Sequence, residues 1–337
     1  MPSQAYQRLS IDKSAYKLTC ARHQVAIDKM SEMRDKTVTT VIDQGACIGC
    51  GTCVEVCPDE TISIIDDKAR VTGSESLNCD HCAAACPEEA IQVAAVDGTL
   101  SQYQTFQALE DWLPHGEFDT ASLVNLMRSR RSCRNFQVKP VSRDILDDLV
   151  KVGITAPSGS NCQMWSFTIL PDRESVIAYG EKIMAFFSRL NRMAENVWLR
   201  TFMKIIGRNQ LAGYYQNHYQ SVQDGLESWK NEGKDILFHG AQALIIVGSK
   251  AVASCPTEDA LLATQNILLA AHSMGLGTCL IGYAIEAMKE DVNVRDYIEI
   301  PENEDPYAVI ALGYPDETYR AVAGRKPFIQ RVVKKTS

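Results

Sequence analysis

Seven cysteines carry the clearest chemistry in this sequence. The run Cys47-Ile48-Gly49-Cys50-Gly51-Thr52-Cys53-Val54-Glu55-Val56-Cys57-Pro58 has the spacing C-x2-C-x2-C-x3-C-P. Three thiolates this close together wrap one face of a cubane iron–sulfur cluster. The fourth, held off by three residues and followed by proline, points away to a second cluster. A displacement of 29 residues finds the second copy: Cys50, Cys53, Cys57 and Pro58 fall on Cys79, Cys82, Cys86 and Pro87. Glu60-x-Ile62-x-Ile64 falls on Glu89-x-Ile91-x-Val93, whereas Cys47 falls on Ser76.

This repeat resembles the two-cluster ferredoxin domain. The crossed ligation of that family implies Cys47, Cys50, Cys53 and Cys86 on a first 4Fe-4S cluster. It implies Cys57, Cys79 and Cys82 on the second, with Ser76 at the remaining corner. A serine hydroxyl is harder and far less acidic than a thiol, and by default a poor iron ligand. Three outcomes are open for the second site: a 3Fe-4S cluster, a 4Fe-4S cluster whose odd iron takes Ser76, water or another residue, or no cluster. Loss of a thiolate would change the reduction potential relative to the first cluster. A zinc ribbon built from Cys47-x2-Cys50 and Cys79-x2-Cys82 would leave Cys53, Cys57, Cys86 and both prolines without a task. A thioredoxin-type CxxC lacks the strand–helix unit it needs.

The elements that must position these thiols are short. Val38–Ile42 is β-branched and reads as an entry strand. Each half then supplies a ligand loop, a turn of helix and a strand, and Asp97-Gly98 closes the domain with a turn. The spacing of Tyr103, Phe106, Leu109 and Leu113 predicts a connector helix over Ser101–Leu113, stopped by Pro114, with a linker up to Asp119. Ahead of the cysteines, Ile27, Met30 and Met33 could share a helix face in an extension that carries no chemistry.

The whole chain, at 337 residues, is long enough for two or three domains, and 45% apolar content supports a full core. A net charge of −8 argues against a nucleic-acid partner. No apolar run approaches the roughly 18 residues of a membrane span, and the first twelve residues lack the apolar centre of a signal peptide. Seven of the twelve cysteines stand at metal-ligand spacing, which places the chain in a reducing cytoplasm. Cys20, Cys133, Cys162, Cys255 and Cys279 are scattered and read as buried small hydrophobes.

A second chemistry begins at Arg130-Arg131-Ser132-Cys133-Arg134-Asn135-Phe136. A helix over Ser142–Gly153 follows, with Ser142 and Asp144 as capping candidates, then Ala156-Pro157-Ser158-Gly159-Ser160-Asn161-Cys162-Gln163-Met164-Trp165-Ser166-Phe167. Gly275-Leu276-Gly277-Thr278-Cys279-Leu280-Ile281-Gly282, Leu312-Gly313-Tyr314-Pro315 and Gly324-Arg325-Lys326-Pro327 come later. Taken in order, these five stretches resemble the nitroreductase family of flavin enzymes. The one clear departure is Met164, where proline is common. The resemblance implies bound FMN, a homodimer with each flavin held between subunits, and a cofactor set of Arg130, Arg131, Ser132, Arg134, Pro157, Ser158, Asn161, Ile281, Gly282, Arg325 and Lys326.

The residue types suit that task. FMN carries a dianionic phosphate, which needs converging cations and donors. Arg130, Ser132 and Arg134 alternate along an extended segment and so share one side, and Arg325 with Lys326 could close on the phosphate from the far end of the chain. Asn161 can hydrogen-bond ring heteroatoms, and Gly282, after an apolar strand, lets backbone approach the ring. Alone, Arg128, Arg130 and Arg131 would read as a solvated basic face, Asn161 as a turn residue and Gly282 as a strand-end glycine. Residues 175–235 are helical and aromatic-rich, and the resemblance makes them a variable lid or dimer element. Ala243–Val247 reads as a buried strand and Asp259–Met274 as an apolar helix, the central dimer helix by resemblance, ended by Gly275. Gly275-Leu276-Gly277 follows a helix rather than a strand, which rules it out as a dinucleotide fingerprint.

The expected fold is α+β: a small ferredoxin-like domain over 38–97 behind an extension over 1–37, a connector over 98–120, and a nitroreductase-like domain over 121–337 with an antiparallel-rich sheet flanked by helices. The expected activity is an oxidoreductase in which iron–sulfur clusters feed FMN, which reduces a small organic acceptor such as a nitroaromatic or a quinone. The flavin carries the chemistry, and no catalytic acid or base is expected. The electron donor would be an external protein or NAD(P)H. The alternatives are a flavin reductase with a non-nitro substrate, and a non-catalytic subunit that hands electrons to a partner protein.

Overall fold

The computed structural model describes residues 35–334, so the segment bearing Cys20, Ile27, Met30 and Met33 lies outside the described residues. The fold is α+β, in two compact units. Among the described residues, one holds 35–100 together with Pro157–Trp165 and Ser249–Asp259; the other holds Ser101–Ala156, Ser166–Gly248 and 260–334.

In the first unit, β1 (Thr40–Ile42) pairs antiparallel with β4 (Ile91–Val93), Thr40 opposite Val93. β2 (Ile62–Ile65) pairs antiparallel with β3 (Lys68–Val71), Ile62 opposite Val71. Asp66 and Asp67 connect that hairpin, both with positive φ (50° and 60°). Two left-handed residues match the twist of the strands they join. α1 (Thr52–Glu55) and α2 (His81–Ala84) are single turns behind the ligand loops.

The 29-residue repeat is a repeat of backbone as well as of sequence. Gly49 and Asn78 have φ of 71° and 48°, Gly51 and Asp80 of 84° and 63°, and Glu60 and Glu89 of 52° and 50°. Left-handed residues therefore fall at equivalent places in both halves. Glycine is obligatory at 49, where a Cβ would stand 2.0 Å from the Asp67 carbonyl oxygen. The core of this unit is small: Ile62, Ala69, Ala90, Ile91 and Val93 bury themselves against Cys47, Cys53 and Cys82.

The second unit is built on a four-stranded sheet in the order β5 (Trp165–Leu170), β6 (Ala243–Lys250), β8 (Glu304–Gly313), β7 (Gly277–Leu280). β7 and β8 are antiparallel, Gly277 opposite Gly313 and Leu280 opposite Ile310. β6 and most of β8 are buried on both faces, so their sequences read as continuous apolar runs. Two helices, α3 (Thr120–Ser129) and α4 (Arg143–Gly153), precede the sheet. α5 (Arg173–Glu195), α6 (Val197–Ile205), α7 (Gln210–Asn217) and α8 (Tyr219–Glu232) fill the aromatic-rich region. Next comes α9 (Pro256–Ser273), with proline at its first position, Glu258 and Asp259 in its first turn, and Gly275 just past its end at φ 79°. α10 (Gly282–Glu290) and α11 (Val292–Asp296) complete the unit. Tyr179, Ile183, Phe238, Leu244, Ile246, Ala284 and Val309 are among the residues of its apolar core.

The expected connector helix does not form. Past the short 3₁₀ turn Gly98–Ser101, residues 102–119 contain no helix or strand. Buried Asp148 on α4 takes over the backbone instead. Its carboxylate accepts from the N–H of Gln104 (3.0 Å) and of Thr105 (2.7 Å) and from the Thr105 hydroxyl (2.6 Å). Lys151 donates to the Gln102 carbonyl and Tyr103 stacks on Phe106, while Leu109 is 95% exposed. The helical spacing of apolar residues was real, but tertiary hydrogen bonds outbid it. Ser142 stands at the N-cap of α4 without a side-chain capping bond. Cys133 and Cys279 are buried as expected, Cys162 is half-buried, and Cys255, expected inside, is exposed. Among the described residues no helix is long and apolar enough to cross a membrane.

Burial works against charge on Asp148, but the hydrogen bonds from Thr105 and Gln104 outweigh it and hold the carboxyl below its ordinary range. Its contribution is therefore fully present above the free value of about 3.9 and is lost as pH falls through the lower folded value. Asp148→Ala should lower unfolding stability by about 3 kcal/mol at neutral pH. In denaturant titrations the gap from wild type should narrow in acid.

Candidate metal centre and anion-binding cleft

The thiols of the first unit collect around two cavities of nearly equal size. One encloses ≈ 320 Å³ and is lined by Cys47, Cys50, Cys53 and Cys86. The other encloses ≈ 330 Å³ and is lined by Cys57, Cys79, Cys82 and Ser76. Electrostatics give the same grouping. Burial pushes the Cys53 thiol up, and the neighbouring charges of Cys47, Cys50 and Cys86 push it further. Burial does the same to Cys82, helped by Cys57 and Cys79. Thiols that raise one another in this way need a shared cation to ionise together. Among the described residues no three His, Cys, Asp or Glu side chains converge on a single ion. Cys47 and Cys50 line one cavity and Cys79 and Cys82 the other, so the four thiols of a zinc ribbon do not share one site, and each group matches the ligand set expected for a cluster.

Backbone donors already point at the sulfurs. The N–H of Thr61 donates to Cys57 Sγ and that of Ala90 to Cys86 Sγ, each at 3.3 Å, and Ala69 N–H donates to Cys47 Sγ at 3.4 Å. The first two bonds are 29 residues apart and equivalent. The Cys50 thiol is held down by the side chain and backbone of Thr52.

Asn161 is placed in this unit as well. Its amide nitrogen donates to the carbonyls of Leu77 (3.0 Å) and Asn78 (3.2 Å), and its oxygen accepts from Gln163. Ser160, Asn161 and Gln163 all have φ near 50°, and Ser158 accepts from the Gln163 N–H. Pro157 and Ser158 belong to the same stretch, in which Gly159 N–H donates to the buried carboxylate of Asp259. Pro157 is exposed and Ser158 half-buried.

In the second unit, cations gather at the other candidate site. Burial lowers the pKa of the Arg130 guanidinium, and the nearby charges of Arg131 and Arg325 lower it further. Arg131 and Arg325 reach Arg130 from opposite ends of the unit, while Lys326 is exposed beside Arg325. Arg130 also acts with burial to lower His272. Unpaired cations repelling one another call for an anion. Ser132 bridges to Thr278 on β7, and Cys133 is buried so tightly against Gly277 that a Cβ there would meet it at 2.7 Å. Arg134, His239, Cys279, Ile281 and Gly282 line a cleft of ≈ 1030 Å³. Cys279 links cleft and cations: burial raises its thiol, and Arg134 and Arg130 pull it down.

A latch that the sequence did not reveal holds the arginine segment. Glu317 accepts from the Arg134 N–H (3.0 Å), the Asn135 side chain (2.7 Å) and the Tyr319 hydroxyl. Burial opposes its charge, and these bonds outweigh it and keep the carboxyl below its usual range. The only signal in the sequence was its place two residues past Pro315. Beside the cleft, and sharing Ile236, Leu237 and Tyr283 with it, lies a cavity of ≈ 540 Å³. Phe187, Val222, Gly225 and Trp229 line it, and no charged side chain does.

Residues 127–314 match the profile of the nitroreductase family, and residues 40–63 match that of the 4Fe-4S binding domain. A protein of Methanothermobacter thermautotrophicus, provisionally named an NADH dehydrogenase/NAD(P)H nitroreductase, is 25% identical over 206 residues, 60% of this chain and 82% of its own. An NADPH-dependent oxidoreductase of Staphylococcus aureus is 26% identical over 213 residues, 61% of this chain and 70% of its own. Among solved structures, a nitroreductase with bound FMN from Bacteroides fragilis aligns at 22% identity and TM-score 0.46, over 64% of this chain and 98% of its own.

Removal of the latch should loosen the arginine segment selectively. Glu317→Ala gives up charge-assisted hydrogen bonds, so amide hydrogen exchange at Arg134 should accelerate by about tenfold or more, while exchange within β8 stays unchanged.

Proposed function

Because the chain belongs to the nitroreductase family and carries a 4Fe-4S binding domain ahead of it, we propose that it is an FMN-dependent oxidoreductase fed by its own iron–sulfur clusters. The observation that carries this is the pairing, in one chain, of a cluster-sized cavity walled by Cys47, Cys50, Cys53 and Cys86 with a cationic group of Arg130, Arg131 and Arg325. Clusters move single electrons, and a flavin joins two of them into a hydride equivalent. Covalent fusion keeps the donor at high local concentration beside the acceptor.

The roles follow from the residues. Arg130, Arg131 and Arg325, with Ser132 and Lys326, hold the FMN phosphate. Arg134, Ile281 and Gly282 line the cleft for the ring, and Gly282 leaves open space where a side chain would stand. Pro157, Ser158 and Asn161 belong to the cofactor set by family. The uncharged aromatic cavity beside the cleft suits a neutral, planar acceptor, a nitroaromatic or a quinone. The relatives named for NADH and NADPH support a nicotinamide donor, with an external electron-transfer protein as the other source.

The functional form is a homodimer. Leu123, Val124 and Met127 on α3 are each more than a third exposed, as are Leu261 and Leu262 on α9. Phe328, Ile329, Val332 and Val333 near the C-terminus are between 74% and 87% exposed. Apolar side chains left exposed in this way are what an obligate interface covers. The unpaired thiols favour the reducing cytoplasm.

Two measurements test the reading. Protein reduced with dithionite should be reoxidised through many turnovers by a nitroaromatic or a quinone; reoxidation by a partner protein alone would make the chain an electron-transfer subunit instead. Arg130→Ala should weaken FMN retention by about ten- to a hundredfold, the cost of a charge-assisted contact to phosphate, with the iron count unaffected.

A further inference from the structure

We propose that Ser76 is the fourth iron ligand of the second site, completing a four-iron cluster with Cys57, Cys79 and Cys82. This rests on the reading of the first unit as an iron–sulfur module and is independent of the flavin.

The argument starts from equivalence. The two halves repeat in backbone, with left-handed residues at matched places and short helices at 52–55 and 81–84. A residue 29 positions after Cys47 therefore takes the corresponding corner, and Ser76 does line the cavity shared by the three remaining thiols. The two sites match in lining: three thiols and Ser76 around the second stand where four thiols surround the first.

Ser76 is also prepared for the task. It is buried, 8% exposed, and its oxygen accepts the backbone N–H of Asn78 at 3.0 Å. Cys47 receives the N–H of Ala69 in the first site. A backbone donor on the oxygen favours its anionic form, the form that binds iron. The loop around it is fixed on several sides. Asn161 holds the carbonyls of Leu77 and Asn78, Thr39 donates to the Asn78 side chain, Asn78 donates to the Thr37 carbonyl, and Thr61 donates to the Glu75 carbonyl. A loop held this firmly presents Ser76 without further ordering cost on cluster assembly. On ligation the serine O–H bond is replaced by an O–Fe bond, the proton leaves to solvent, and no electron is transferred. The alkoxide restores the negative charge that a missing thiolate would remove, on a harder donor.

The test uses the full chain, reconstituted anaerobically with iron and sulfide and examined by iron count, Mössbauer spectroscopy and electron paramagnetic resonance. Wild type should hold about eight irons, four per cluster, without the signal of an oxidised three-iron cluster. Ser76→Ala should lose one iron from the second site and show that signal, with the first cluster's spectrum intact as evidence of folding. Ser76→Cys should keep the full count and shift the potential of the second cluster alone. A three-iron signal in wild type overturns the proposal, and so does a Ser76→Ala protein with the wild-type count and spectrum, which would mean water or another residue fills the corner. A single cluster per chain overturns it too. FMN measured on the same samples separates the two readings: clusters as described without flavin would defeat the proposed function and leave Ser76 standing.

Discussion

Burial of thiols in a very small core is the constraint on which the iron–sulfur unit depends. Cys47, Cys53 and Cys82 form part of an apolar cluster of this unit with Ile62, Ala69, Ala90, Ile91 and Val93. A body with so few large side chains cannot stabilise itself by burial alone. Burial, with a smaller push from neighbouring thiols, holds Cys53 and Cys82 against ionisation. A bound cluster would favour the thiolates and fill the space between them, which would couple its assembly to folding of this unit. The left-handed residues and the backbone donors to sulfur are the local cost of holding ligands in place before the metal arrives.

The other unit solves the opposite problem. Arg130 sits beside Arg131 and Arg325 at some cost, from its own burial first and then from their charges. They are kept there by a large apolar core and by a carboxylate, Glu317, that binds the backbone of the arginine segment and leaves the guanidinium of Arg134 facing the cleft. The stability comes from the sheet and α5, and the strain sits where an anion would relieve it. Groups of one kind are gathered at each candidate site, thiols at one and guanidinium groups at the other, and a bound group of opposite charge would relieve each.

What was legible in the sequence was whatever depends on short spacing. The cysteine run, the 29-residue repeat, the Gly275 stop and the apolar β6 are decided within a few neighbours, and the fold reproduces each. The connector helix failed because its outcome was decided by Asp148, more than 40 residues away, whose carboxylate offered the N–H groups of Gln104 and Thr105 a better partner than a helix could. Glu317 was missed for the same reason, its contacts with Arg134 and Asn135 spanning more than 180 residues. Local pattern reports propensity, and long-range hydrogen bonds to buried carboxylates override it at about 1.5–3 kcal/mol each.

Asn161 shows how a residue singled out for one partner can be claimed by another. Its motif marks it for the flavin ring, yet here both its donors and its acceptor are engaged, on Leu77, Asn78 and Gln163. The stretch from Pro157 to Trp165 therefore packs as part of the iron–sulfur unit. Those hydrogen bonds tie the motif stretch to the loop that carries Ser76: any shift of Leu77 or Asn78 is felt at Asn161, and the reverse holds. The serine that breaks the symmetry of the cysteine repeat lies directly beside that contact. The asymmetry of the cysteine repeat thus sits next to the stretch that carries the second motif, held to it by the same two carbonyls.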